Sequence, residues 1–384
     1  MTAEPFRIAI VGTGNIARSH AQAIASQPGG AGAAPVTTVA AMDVDQSQLG
    51  TFCAEFGIPG GYGDLATLLS QARPDLVHIC TPPSTHHAIA LTCLNAGASV
   101  LTEKPPTISL REFDGLTAAQ AVAAEDSSGG ADGPPWFATV FQHRFGDGQR
   151  RLKKLAASGA LGRPLIAVCH TTWFRDQAYF DVPWRGRWDT EGGGPTMGHG
   201  IHQMDMLLDV LGDWTEVSAL ARTQARTMPT EDLSLAHVTF ANGAVASVVN
   251  SVLSPREESY LRFDFERATV EVTHLYGYGD DDWRVTPAPG REDDVEAAWK
   301  HAAGGGRGGG DGAAHSSHAV QFARVLVALR DGRRPPVTPP EARRTMALIA
   351  GIYASAFTRR PVTPADLAPG TAFYTAMNGG HEAW

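Results

Sequence analysis

The stretch Val100-Leu101-Thr102-Glu103-Lys104-Pro105-Pro106 holds the first residues whose types and order suggest chemistry. The apolar run Ala98–Leu101 reads as a buried strand, and the prolines end it because proline cannot extend a central ladder. Lys104 is thereby expected at the carboxyl edge of a parallel sheet, where open α/β folds form their ligand crevices. An ammonium held there can act as a proton donor or an electrophile; the bland alternative is a surface lysine paired with Glu103. A second pattern is Gly12-Thr13-Gly14-Asn15-Ile16-Ala17, a G-x-G-x-x-A that follows the apolar run Phe6–Val11. A helix is expected to open after it, with Ala17, Ala21 and Ile24 on one face. The first glycine permits a tight turn, and the second lets backbone approach a pyrophosphate at the helix N-terminus. Ala17 lets helix and strand pack closely. Asp43 closes the next apolar run, Val36–Met42, where such folds place an acid on the adenosine ribose hydroxyls. A carboxylate repels a 2′-phosphate, so NAD is expected over NADP. A cap on a helix beginning near Gln46 is a compatible role for the same residue.

These side chains need elements to position them. Helices are expected over Asp64–Ala72 and His86–Ala96, and buried strands over Asp75–Thr81 and Trp136–Gln142, the last running into His143-Arg144. Gly12–Ala17, Asp43, Thr81–Ser84, Lys104 and His143 then all follow strand ends, which lie on one edge of a parallel sheet. Glu125–Pro135 reads as a flexible insertion and His301–His318 as a low-complexity segment whose histidines are too loosely held for a metal site. At 384 residues two domains are expected, 5–145 and 146–384. The net charge of −9 argues against nucleic-acid or acidic-membrane partners, and no stretch is long and apolar enough to span a bilayer. Scattered Cys53, Cys80, Cys93 and Cys169, with no signal-peptide pattern at the N-terminus, lead us to expect a cytoplasmic protein.

With Gly12–Ala17, Thr81-Pro82-Pro83-Ser84-Thr85-His86 and Glu103-Lys104-Pro105 in view, the chain resembles the glucose–fructose oxidoreductase / inositol dehydrogenase (Gfo/Idh/MocA) family. The resemblance implies an N-terminal Rossmann domain and a C-terminal α/β domain with a large open, mostly antiparallel sheet that often forms the oligomer interface, so a homo-oligomer is expected. It implies that Lys104 reaches the substrate and that the peptide before Pro105 is cis. The cofactor-binding set is then expected to be Gly12, Thr13, Gly14, Asn15, Ile16, Asp43, Thr81, Pro82, Ser84, His86, Glu103 and Lys104.

In the second half, Glu191-Gly192-Gly193-Gly194 leads into Pro195–Asp205 and resembles the family's G-G-G-x-x-x-D-x-G-x-H-x-x-D signature. On that pattern His202 matches the catalytic histidine, a general base near neutrality. The family's aspartate position is Gly198, which weakens any cyclitol assignment; Asp205, three residues beyond His202, could support the imidazole instead. His199, His202 and Asp205 could be read as a metal triad, but Gly198 and Gly200 interrupt the spacing and no metal is expected there. Alternating runs from Ser218 to Val272, with Asn242-Gly243 as a hairpin signal, fit an antiparallel sheet with one face on a core. The expected activity is hydride transfer between NAD and a secondary alcohol of a sugar, sugar acid or cyclitol. A non-catalytic NAD-binding sensor and an NAD-assisted glycosidase or lyase stay open.

Overall fold

The computed structural model describes residues 5–27, 36–126, 134–303 and 315–382. Most of the expected insertion at 125–135 and the glycine-rich part of 301–318 lie outside these residues. The chain divides into two compact units. The first comprises Met1–Thr107, Glu112–Val140 and His318–Ala342, and the second Ile108–Arg111, Phe141–Ser317 and Arg343–Trp384.

Six parallel strands build the first unit: β1 (Phe6–Val11), β2 (Val36–Met42), β3 (Gly60–Tyr62), β4 (Leu76–Ile79), β5 (Ser99–Thr102) and β6 (Phe137–Thr139). Their order is β3-β2-β1-β4-β5-β6, the doubly wound arrangement in which strand order reverses between β1 and β4. The central strands are buried throughout, as a sheet covered on both faces requires. Asp64 and Asp45 cap the helices Leu65–Ala72 and Gln46–Phe56 by accepting backbone N–H groups. The helix after β4 starts at Pro83, earlier than the expected His86, because proline at the first helical position needs no amide partner.

A split at 145/146 assigned the segment 318–342 to the second half. Phe322 and Val325 of the helix His318–Arg330 instead sit in one core with Ile8, Ile10, Ala17, Ala21 and Ile24. Burial of two large apolar side chains, worth roughly 1.5–3 kcal/mol each, returns this late segment to the first unit. The expected strand to Gln142 also ends early, at Thr139, and Gln142–Phe145 turns into a single tight helical turn. His143 lies in that turn, which belongs to the second unit.

The second unit holds seven strands: β7 (Pro164–Phe174), β8 (Trp214–Arg222), β9 (Leu233–Phe240), β10 (Val245–Ser251), β11 (Leu253–Phe265), β12 (Ala268–His274) and β13 (Trp283–Pro287). Their order is β13-β12-β11-β7-β10-β9-β8, antiparallel except where β10 runs parallel to β7. One face is packed by Ala167, Cys169, Leu261, Phe263, Val270 and Val272 together with the buried helix Ile201–Leu211. The other face leaves Ile166, Leu220, Leu235 and Val245 between 44% and 51% exposed. No helix among the described residues is long and apolar enough to cross a membrane.

Candidate functional site

In the first unit β1 ends in the glycine turn. Gly12 has φ +88°, and a Cβ there would lie 2.8 Å from the Cys80 carbonyl carbon and oxygen, so only glycine fits. Gly14 is different: a Cβ would meet nothing within 4 Å, and the helix Asn15–Ala25 that starts beside it has no side-chain cap. An uncapped helix N-terminus facing open space is what a pyrophosphate requires, so these residues fit a dinucleotide. Asp43, at the end of β2, accepts from the Thr13 N–H at 2.7 Å, the Thr13 hydroxyl at 2.8 Å and the Asp45 N–H at 3.0 Å. Partial burial works to raise its pKa, but these donors outweigh it and hold the carboxyl below its ordinary value. The helix at Gln46 is capped by Asp45, leaving Asp43 tied to the glycine turn.

β5 delivers Lys104 to the same edge, and the Lys104–Pro105 peptide is cis. His86, fully buried, sits between two carbonyls, with Nδ1 2.8 Å from the Pro105 oxygen and Nε2 2.8 Å from the Thr81 oxygen. Burial lowers its pKa against the pull of those carbonyls. Lying between these carbonyls, His86 links the lysine loop to the β4 exit by donating its one N–H to either of them. Glu103 is tied into the same region. Its Oε1 accepts from His20 Nε2 at 2.9 Å and His318 Nε2 at 3.0 Å, and its Oε2 accepts the Lys104 N–H at 3.1 Å. Burial opposes ionisation of Glu103, but these hydrogen bonds prevail and keep it well below the usual carboxylate range. His20 Nδ1 lies 2.8 Å from His78 Nδ1; burial, then the neighbouring imidazole, drives His78 well below its ordinary pKa. Thr81 and Thr85 share a hydroxyl contact of 2.7 Å, and Pro82, Pro83 and Ser84 form the start of the next helix at this edge.

In the second unit the glycine run opens a short helix, Pro195–Gly198, before Ile201–Leu211. A Cβ on Gly194 would stand 2.0 Å from the Glu231 carbonyl oxygen, so the loop passes directly over that residue. The Glu231 carboxyl accepts from the Gly194 N–H at 3.0 Å, the Thr196 N–H at 2.9 Å and the Tyr353 hydroxyl at 2.9 Å. Burial nevertheless pushes its pKa up to about 7. His202 is buried and stacks on His143, with ring centres 4.6 Å apart and planes 13° from parallel. Gln203 reaches His143 Nδ1 at 3.4 Å and His274 Nε2 at 3.2 Å, and burial pushes His274 down to about 4. Asp205 does not support His202. Arg144 grips it at 2.5 and 2.6 Å and the Thr345 hydroxyl donates to it at 3.1 Å, because a buried carboxylate needs a cation. His199, His202 and Asp205 do not gather their ligand atoms, whereas among the described residues His20, Glu103 and His318 do.

Several side chains with no assigned role in the sequence gather near the glycine loop. A Cβ at Gly198 would lie 3.0 Å from Glu191 Oε1, so a carboxylate from the start of the loop borders the space that an aspartate at 198 would use. Glu191 is buried, and its Oε2 accepts the Gly186 N–H at 2.6 Å. His199 Nε2 lies 3.3 Å from the Tyr179 hydroxyl, which Arg185 also contacts. The Arg185 guanidinium stacks 3.9 Å from the Tyr179 ring centre, and Trp173 meets His199 edge-on. The legible signal was the density of Trp, Arg and Glu just before the glycines; nothing in the spacing says which of them turn inward.

Comparison with known proteins places this geometry. The "oxidoreductase family, NAD-binding Rossmann fold" description matches residues 6–125, and the "GFO/IDH/MocA C-terminal domain" matches residues 149–274. D-glucoside 3-dehydrogenase from Escherichia coli is 27% identical over 305 residues, which covers 72% of this chain and 80% of that protein. D-apiose dehydrogenase from Paraburkholderia graminis is 24% identical over 99% of this chain and 95% of its own length. The structure of the WlbA dehydrogenase from Bordetella pertussis, in complex with NADH and UDP-GlcNAcA, superposes with a TM-score of 0.79 at 24% identity, covering 94% of this chain and 99% of that one; the likeness is one of fold. Matched in both units by descriptions of one family, the chain belongs to the Gfo/Idh/MocA oxidoreductases and binds NAD.

Proposed function

We propose that this protein transfers hydride between NAD and a secondary alcohol of a sugar, sugar acid or cyclitol. The observation that carries the reading is the shared edge of the first sheet. The Gly12–Ile16 turn, Asp43 and Lys104 all follow parallel strands on one side. Bound NAD supplies the hydride acceptor or donor. The backbone from Gly12 through Thr13, Gly14, Asn15 and Ile16 cradles the pyrophosphate, and Asp43 receives the ribose hydroxyls. Thr81, Pro82 and Ser84 border the cofactor at the β4 exit. Lys104 donates a hydrogen bond to the carbinol oxygen and stabilises the developing carbonyl, while His202 takes the hydroxyl proton. The stack of His202 on His143 restrains its ring. Arg185, Tyr179 and Trp173 beside His199 supply the aromatic faces and donors that suit a polyol or its acid. The names of the glucoside and apiose relatives favour a sugar hydroxyl.

The unpaired cysteines support a reducing, cytoplasmic setting, and the apolar outer face of the second sheet supports a homo-oligomer. NADH fluorescence followed during a screen of sugars, sugar acids and cyclitols tests the activity. Turnover with one class assigns it, and NADH binding with no turnover on any of them favours a sensor.

A further inference from the structure

Behind the strand end that presents Lys104, three side chains with no task in hydride transfer meet. His20 comes from the helix Asn15–Ala25, Glu103 from the exit of β5, and His318 from the first turn of the helix His318–Arg330. Their ligand atoms all lie within 4.8 Å of one another, with two separations, to Glu103 Oε1, of 2.9 and 3.0 Å. Four-coordinate zinc about 2.1 Å from each donor sets neighbouring ligand atoms roughly 3.4 Å apart, so the ion would replace the two N–H···O bonds with the atoms moving outward by a few tenths of an ångström. We propose that His20, Glu103 and His318 bind a divalent transition-metal cation, with zinc the natural occupant.

The donor set selects the class. Two imidazoles and a carboxylate suit zinc and its first-row neighbours, whereas magnesium and calcium require oxygen ligands. A second layer is already in place. His78 Nδ1, 2.8 Å from His20 Nδ1, fixes the His20 ring so that Nε2 faces the site. The Lys104 N–H occupies Glu103 Oε2, which leaves Oε1 as the ligating oxygen. His20 and Glu103 are closed off at 2% and 5% exposure, while the His318 side chain, 18% exposed, leaves one flank for entry of the ion and for its remaining water ligands. To ligate through Nε2, His20 gives up the Nε2 proton that it donates to Glu103 in the metal-free protein and carries one on Nδ1 instead, which His78 Nδ1 then accepts. The ion joins segments 83 and 215 residues apart, one of which leads directly into Lys104, so its role is to brace that peptide.

The site is independent of the catalytic reading and is tested without substrate. The full-length protein, stripped with chelator and dialysed, is titrated calorimetrically with Zn²⁺ and followed optically with Co²⁺. One equivalent of each is expected, Mg²⁺ should give none, and saturating Zn²⁺ should raise Tm by several degrees. His318→Ala, at a partly exposed helix start, should keep the fold and lose both the equivalent and the Tm rise. His381→Ala, an exposed control, should keep both. His20→Asn checks the buried ligand. The proposal is overturned if the wild type takes up no stoichiometric metal, if Mg²⁺ competes equally, or if His318→Ala still binds one equivalent, since the ion would then reside on other histidines.

Discussion

Four substitutions separate the roles of single residues. Lys104→Met and His202→Ala should each lower turnover by on the order of a hundredfold or more, the usual cost of losing a polarising donor or a general base. NADH affinity from fluorescence titration should change little. Normal turnover by both variants on the true substrate would remove them from the site. Asp43 holds the Thr13 N–H and hydroxyl through its carboxylate, and in the proposed complex it also receives the ribose hydroxyls. Asp43→Ala should therefore weaken NAD binding and narrow its advantage over NADP. Calorimetry showing equal binding of NAD and NADP to the unmodified protein would refute the discrimination itself. Gly198→Asp restores the family's carboxylate, yet Glu191 Oε1 stands 3.0 Å from the new Cβ. Two carboxylates in a buried space repel, so kcat/KM should fall in the single variant and recover at least partly in Gly198→Asp with Glu191→Ala.

At the scale of elements, the glycine loop rests on Glu231, and that support titrates. The pKa in the folded state is about 7 against an ordinary 4.5, so the native protein holds the proton more tightly than the unfolded chain. Stability from this group is complete below pH about 4.5 and declines as pH rises through the window up to about 7. Asp205, pushed up to about 6 by burial against the pull of Arg144, acts with the same sign at lower pH. Between pH 5.5 and 7 the stability difference between wild type and Glu231→Gln should shrink by on the order of 2 kcal/mol, about 1.36 kcal/mol per pH unit. Urea midpoints of the two proteins across that range measure it. A difference that stays constant or widens would show that Glu231 is ionised throughout, as its three donors favour.

At the scale of the molecule, the proposed homo-oligomer rests on the exposed apolar outer face of the second sheet. Register places Leu220 beside Leu235, Leu235 beside Val249, Val249 beside His170 and His170 beside Tyr260, a continuous row across five strands. Val245 and Ile166 pair in a neighbouring row. An exposed apolar sheet face of this extent is a normal subunit contact. Leu235→Glu with Val245→Glu should shift the protein to a smaller species in sedimentation while leaving the far-UV spectrum unchanged. A wild type that sediments as a monomer would exclude the proposed interface.

Local pattern determined much of this protein. The short apolar run Phe6–Val11, closed by a glycine turn, made a covered parallel strand, and Gly12-x-Gly14-x-x-Ala17 follows it, with Gly12 required by its φ and by contact distance. The edge shared by Gly12, Asp43 and Lys104 followed because parallel strands put their carboxyl ends on one side. Tertiary structure decided which buried polar group meets which. His86 and Glu103 carry the family's motif, and their atoms meet Pro105, Thr81, His20 and His318. Asp205 lies one helical turn from His202, but Arg144, 61 residues away, claims it. Phe322 and His318, beyond the glycine-rich segment, returned to the first unit because its core needed their side of the helix. The physical reason is common to all of these. Backbone preference and periodicity act over a few residues, whereas a buried charge or aromatic ring takes whatever partner packing brings within reach, at any separation in the chain.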